Sequence, residues 1–385
     1  MVIQLDRRRR AVLPELESLR AEKNAASDAI GAAKRDGGDV SEQITRMREL
    51  GAREKALEGE LALVDAELHE ALVRLPNPPL ADAPLEDSVL RIVGEPRIGE
   101  GFRDHLELAG SMIDVEAGAR VSGARIAYLR GDLVLLELAL VRWAIDRLVS
   151  EGFEPVIPPV LVRDHALFGT GMLPDTEQQI YAVPDEGLYL TGTSEVALAS
   201  LHAGEILDED ALPLRYAGFS PCFRREAGAA GKDTRGIIRV HQFDKVEMFS
   251  FVAPEESGAE HERILGIEEE ILTALGLPYR VVNIALTDLG NSAAKKYDCE
   301  AWIPSQGRYR ELTSCSNTTD YQARRLDIRT RREKRTETLH TLNGTAVAVG
   351  RTLIALLENG QRADGSVALP QCLAQFGAPA ELPAP

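Results

Sequence analysis

The chain has 385 residues, 44% of them hydrophobic, with 44 basic against 61 acidic residues and a formal net charge of −17. That length holds about two or three domains with a full core, and the acidic balance excludes a protein coated in positive potential for nucleic acid while leaving room for local basic strips. No stretch approaches the ~20 apolar residues of a membrane span, nothing reads as a signal peptide, and the scattered Cys222, Cys299, Cys315 and Cys372 form no CxxC pair. The expected setting is soluble, reducing and cytoplasmic.

Residues 12–75 are predicted to form two long helices. Val12, Leu16, Leu19, Lys23, Ala26, Ile30 and Ala33 follow the alternating four–three spacing of a heptad seam, with one polar position at Lys23. Pro14 suits an early helix position. "DGGDV" at 36–40 breaks the pattern, and Asp39 is placed to cap the next helix with Glu42 as capping-box partner. Ile44, Met47, Leu57, Leu61, Val64 and Leu68 continue the heptads, with Gly51 and Glu54 as weak positions, until "PNPP" at 76–79. Two such helices pack most simply on each other, as an antiparallel hairpin with each helix about 45–50 Å long. Its cations (Arg7, Arg8, Arg9, Arg10, Lys23, Lys34, Arg35, Arg46, Arg48, Arg53 and Lys55) are either a solvated coiled-coil face or an arm that touches a polyanion; charge alone leaves both open.

Residues 1–78 thus form an arm, 79–97 a linker and 98–385 a mixed domain. In it, 130–153 reads as a buried helix ending at Gly152 and 154–162 as an extended segment. Residues 187–204 read as strand, turn and helix, 239–252 and 278–286 as strands, and 345–360 as a helix ended by Gly360. Strands in runs favour an α+β antiparallel sheet over a parallel one. The Pro/Ala-rich tail 378–385 is expected to fray.

"FRREAGAAGKDTRGIIRVHQF" (223–243) concentrates Arg224, Arg225, Lys232, Arg235 and Arg239 among glycines. Such a segment suits nucleotide phosphates, yet "GAAGKDT" lacks the G-x-x-x-x-G-K-[ST] of a P-loop and no G-x-G-x-x-G follows a strand. Arginines on an antiparallel sheet are the remaining way to hold phosphate, by two donors and a permanent charge.

Residues 222–247 resemble motif 2 of the class II aminoacyl-tRNA synthetases, in the form found in seryl-tRNA synthetases. "GTSEV" (192–196) resembles that family's serine-site loop, and "ELTSCSNTTDYQARR" (311–325) its nucleotide- and metal-binding strand. "LHTLNGTAVAVGRTLIALLEN" (339–359) resembles motif 3, and "GFEPVIPPVLV" (152–162), with Pro158 and Pro159, motif 1. The resemblance covers 98–385 closely and 1–97 in architecture.

It implies an antiparallel sheet of six to seven strands flanked by helices, a two-helix coiled-coil arm that binds tRNA-Ser, and a homodimer formed through motif 1. It implies serine activation with ATP and Mg²⁺, then transfer to the 3′ end of tRNA-Ser, and of tRNA-Sec where present. Other activities it leaves open are a seryl-adenylating paralogue of secondary metabolism and a non-catalytic RNA-binding homologue. By the same resemblance Arg224 meets the α-phosphate and the substrate carboxylate, Arg351 the far phosphates, and Arg239 joins them. Glu226 reads adenine and Phe243 stacks on it. Arg225, Val240, Leu312 and Thr313 complete the ATP set, and Glu311 and Ser314 are the metal ligands. Thr193, Ser194, Glu195, Glu247 and Thr345 form the serine site, while His241 has a structural hydrogen-bonding role. Against the family pattern the arm is expected to be shortened at its N-terminus, Arg225 stands where many members have Ser, and Gly192 replaces a frequent Pro.

Overall fold

The computed structural model describes residues 1–174, 178–227, 231, 233–332 and 335–385, in two compact units, Met1–Pro76 and Asn77–Pro385. The first unit is a helical hairpin of α1 (Val2–Arg35) and α2 (Ser41–Val73). Val12, Leu16 and Leu19 of α1 and Leu50, Val64 and Ala71 of α2 are buried along the seam. The ion pairs Arg8–Glu60, Arg53–Glu15 and Arg46–Glu22 step seven residues forward along α1 and seven back along α2, the signature of an antiparallel heptad register. The two polar seam positions, Lys23 and Glu54, meet each other.

Two local expectations change. The helix starts at Val2, so Pro14 lies in its interior rather than at an early position. Asp39 does not form a capping box; its carboxylate accepts from the backbone N–H of Ser41 at 3.0 Å and its hydroxyl at 2.6 Å, a turn closed before Val40 hands over to α2.

The second unit is built on an eight-stranded sheet. Numbering only its strands, these are β1 (Ser88–Val93), β2 (Glu154–Val156), β3 (Leu214–Phe223), β4 (Gln242–Val252), β5 (Tyr279–Asn283), β6 (Lys295–Ile303), β7 (Arg308–Asn317) and β8 (His340–Ala348). The order is β1-β5-β6-β7-β8-β4-β3-β2, antiparallel except for the parallel β2–β3 edge pair. The count exceeds six to seven because both edges gain a strand. One is β1, which lies within the stretch read as a linker: Val89, Ile92 and Val93 supply β-branched residues that pair with Val282, Arg280 and Tyr279.

Three helices pack on this sheet: α3 (Asp132–Ser150), α4 (Ser257–Ala274) and α5 (Val349–Gly360). Helix α3 buries Leu133, Leu136, Leu140, Ala144 and Leu148 but exposes Leu135 and Leu138, so it is amphipathic rather than buried all round. The helix expected from Thr345 begins only at Val349, because 345–348 pair with β4 as strand. At Gly344 the sheet and α4 approach so closely that a Cβ would lie 2.4 Å from Ile264 Cγ2. Strands β3 and β4 pair from Phe251↔Leu214 to Gln242↔Phe223, so the Arg/Gly segment 224–241 connects the two strands of a long hairpin.

Candidate active site

That loop, the exposed end of β4, β7 and the start of α5 enclose a cleft of about 580 Å³, counted to its open mouth. Arg224, Glu226, Arg239, Val240, Phe243, Lys245, Glu311, Leu312, Thr345 and Arg351 line it. The Arg224 guanidinium lies 5.2 Å from the centre of the Phe243 ring, and its Nε donates to Gly192 O at 3.3 Å. Arg239 Nη1 donates to Glu226 Oε2 at 2.6 Å, and its Nε lies 3.8 Å from Asp233. Asp233 is held in turn by both terminal nitrogens of Arg310, at 3.0 and 2.7 Å, a bidentate pair that keeps its carboxyl below the usual range.

A β-bulge shapes the floor. Cys299 pairs with Thr313 and Glu300 with Glu311, which leaves Leu312 as the extra residue of β7. Regular alternation would send Glu311 and Ser314 to opposite faces; the bulge turns both toward Lys296 and Asp298. Burial works to raise the Glu311 carboxyl, but Arg351, Lys296 and Arg224 outweigh it and hold it low. Burial pushes Asp298 up to about 6, with Lys296 opposing and Glu311 adding to the rise. Arg351 Nη1 donates to Glu311 O at 3.0 Å and lies 3.4 Å from its carboxylate.

At the inner end lies a buried polar pocket. Lys245 donates to Thr193 Oγ1 at 2.8 Å and contacts the Glu247 carboxylate. A second bulge, at Ala346, sets Thr345 opposite Glu247, and Thr345 Oγ1 donates to Glu247 Oε2 at 3.4 Å. Asn343 Nδ2 lies 3.2 Å from both Glu247 Oε1 and Glu195 Oε2, and Gln322 Nε2 donates to Glu195 Oε1 at 2.8 Å. Burial, reinforced by Glu247, lifts the Glu195 carboxyl to about 7 against the pull of Lys245 and Arg224. Asn343 Oδ1 and Ser194 Oγ are buried with no hydrogen-bond partner among the described residues.

Residues 1–79 match the family model "Seryl-tRNA synthetase N-terminal domain" and 181–360 the model "tRNA synthetase class II core domain (G, H, P, S and T)". The serine–tRNA ligase of Streptomyces coelicolor is 52% identical over 97% of this chain and 90% of its own length; that of Thermobifida fusca is 49% identical over the same shares. The chain belongs to the seryl-tRNA synthetase family. A solved seryl-tRNA synthetase from Pyrococcus horikoshii, complexed with ATP, superposes with a TM-score of 0.96 at 42% identity over all of this chain and 93% of that one. The cytoplasmic serine–tRNA ligase of Naegleria fowleri, in complex with AMP, superposes at 0.90 and 34% identity, covering 100% and 91%.

Within this member of the family, the residues expected at ATP and serine gather at the cleft and its inner pocket with two exceptions. Arg225 is exposed and its backbone N–H donates to Gln179 O at 2.8 Å, so its side chain does not line the cleft. Thr313 is buried on the other face of β7, donating to Glu268 Oε2 at 2.8 Å, because the bulge turns its neighbours and not itself toward the cleft. His241 Nδ1 lies 2.9 Å from Arg224 O, tying the two ends of the loop. Lys232, in the same stretch, lies outside the described residues. Sequence reasoning passed over Lys245, Asn343, Gln322 and Asp298. The signal for Lys245 was on the page: a lysine two residues before Glu247 on one strand shares its face.

Proposed function

We propose that the chain is a serine–tRNA ligase, with the inner pocket as serine site and the cleft as ATP site. The observation that carries this is the buried pair Glu195 and Glu247 served by a single lysine, Lys245, opening into a cleft lined by Arg224, Arg239 and Arg351. One excess negative charge suits the serine ammonium, the spare acceptor Asn343 Oδ1 suits a small donor, and Thr345 and Thr193 suit a hydroxyl. A pocket of buried polar groups rejects alanine because they would be left unpaired.

In this reading Arg224 bridges both sites, orienting the serine carboxylate for attack on the α-phosphate. A carboxylate oxygen bonds to that phosphorus as the bond to pyrophosphate breaks. The tRNA 3′-terminal hydroxyl then attacks the acyl carbon and AMP departs. Arg351 and Arg239 offset the charge on the outer phosphates; positioning and charge are what such a transfer needs. Glu226 and Phe243 receive the adenine, with Val240 and Leu312 beside them. The oxygen donors Glu311 and Ser314, brought to one face by the bulge, fit Mg²⁺, which binds through one or two protein oxygens beside phosphates. That ion supplies neutralisation of phosphate charge.

The hairpin is the tRNA-Ser arm. Of its cations, Arg8, Arg9, Arg20, Lys23, Arg46 and Arg53 are engaged with acids across the seam, whereas Arg7, Lys34, Arg35, Arg48 and Lys55 have no ion-pair partner among the described residues and are the ones offered to phosphate. A homodimer through 152–162 accounts for exposed Ile157 and Leu161. Among the described residues no helix is long and apolar enough to cross a membrane.

The test is ATP–pyrophosphate exchange with each amino acid, followed by charging of tRNA-Ser. Serine-dependent exchange is expected, and its absence sinks the reading. Deleting residues 14–75 is expected to leave exchange within about threefold and to cut charging by about two orders of magnitude; equal loss of both would refute the division of labour.

A further inference from the structure

His105 lies outside every motif singled out in the sequence, yet it is buried between the two elements that carry the cleft's arginines. Its Nε2 accepts the backbone N–H of Ile237 at 3.2 Å, where the hairpin loop returns toward Arg239. An Nε2 that accepts leaves the proton on Nδ1, which points at Glu358 Oε1, 3.3 Å away, on α5. Glu358, with no exposed surface, also receives the backbone N–H groups of His105 at 3.2 Å and Ser305 at 3.0 Å. Arg351 stands about two turns earlier on the same helix.

The loop is drawn onto this histidine as tightly as backbone permits. Gly236 has φ +77, and a Cβ there would lie 1.9 Å from His105 Nε2. Next to it, the Asp104 carboxylate grips Arg235, and Asp104 also caps the short helix His105–Ala109 through a capping box with Glu107. Three consecutive loop residues, 235–237, are therefore reached from one two-residue clasp, and Ile237, Ile238, Arg239 and Val240 continue directly into the cleft wall.

We infer that His105, oriented by Glu358, is a positioning residue for ATP: it sets the separation between Arg239 on the loop return and Arg351 on α5. The serine pocket is tied by its own bonds, through Thr193, Gln322 and Asn343, and none of them runs through His105. Loosening the strut should therefore weaken the grip on ATP and spare the grip on serine. A structural role alone would lower the amount of active protein and leave both KM values in place.

The inference rests on the proposed reading of the cleft, and pyrophosphate exchange separates the two. Loss of serine-dependent exchange in the unmodified chain sinks the reading; the variants sink only the strut. His105→Leu keeps volume and removes both bonds, so KM for ATP should rise about tenfold or more with KM for serine within twofold. His105→Gln offers one acceptor and one donor at similar spacing and should return KM for ATP to within about threefold of the parent. Glu358→Gln turns an amide N–H toward a backbone or imidazole donor and should raise KM for ATP about fivefold, again without moving serine. The strut is overturned if the two KM values rise together, if Glu358→Gln leaves KM for ATP unchanged, or if His105→Gln is no better than His105→Leu. Should His105→Leu fail to fold, Glu358→Gln decides alone.

Discussion

The molecule contains two Lys–Glu contacts of similar geometry in unlike surroundings. Lys23 meets Glu54 across the arm, with side chains 36% and 15% exposed; Lys245 meets Glu247 in the inner pocket, at 7% and 0%. In the arm, water screens the pair and the seam around it is apolar, so the contact chooses a register more than it holds the helices together. In the pocket, water is excluded and a second carboxylate, Glu195, lies beside the pair, so the lysine cannot satisfy the local charge. The residue types are the same, yet burial turns one pair into an alignment mark and the other into an electrostatic receptor.

The largest expected effect comes from breaking the buried pair. Lys245→Met leaves Glu247 and Glu195 facing each other without their cation. Removing one partner of a buried pair costs about 3–5 kcal/mol, equivalent to roughly 10²–10⁴-fold. Serine-dependent exchange should fall by that order while the hairpin arm, followed by hydrogen exchange of its peptides, stays protected. A loss under tenfold would mean that the pocket is wetter than its burial implies, and the contrast with the arm would collapse.

A smaller, pH-dependent effect sharpens the same contrast. The Glu195 carboxyl titrates near 7, raised by burial and by Glu247. Below that pH it takes up a proton, its negative charge disappears, and attraction for an ammonium weakens. KM for serine should therefore rise as pH falls from 8 to 6, by several-fold, and the Glu195→Gln variant should have a higher KM that no longer changes over that window. A profile unchanged by Glu195→Gln would assign the titration elsewhere. No comparable step is expected for the pair in the arm, where Glu54 is held low chiefly by its hydrogen bond from Lys23.

The sequence made the arm legible because a heptad is a local pattern: Leu16, Leu19 and Val64 state their own spacing. The β3–β4 hairpin was legible through its β-rich return strand and its basic loop. What stayed hidden depends on register across strands. Leu312 and Ala346 carry no mark of a bulge, yet those bulges put Ser314 beside Glu311 and Thr345 beside Glu247, and send Thr313 away from the cleft. Arg225 was misplaced because adjacent charged residues look alike in sequence while an extended segment points them to opposite sides. The strand 88–93 was missed because an edge strand flanked by polar residues and Gly94 reads as a connector. Asn343 and Gln322 reach Glu195 across 148 and 127 residues of sequence, and local spacing holds no trace of such pairs.

The smallest expected effect completes the comparison. Replacing both Lys23 and Glu54 with Leu removes the polar contact and extends the apolar seam formed by Leu16, Leu19 and Leu50. If the pair carried much of the arm's stability, amide protection in α1 and α2 would fall. The solvent-reached geometry argues otherwise: little Coulomb energy survives in water, and apolar replacement adds burial. Protection should thus hold or increase, and serine-dependent exchange should not change. What the double variant gives up is its only polar mark on the seam, so a neighbouring heptad alignment becomes nearly as good. That loss would show in tRNA charging, as a KM for tRNA-Ser raised about twofold. A drop in arm protection would reverse the assignment, making the exposed pair an energetic contact and leaving burial without the deciding role given to it here.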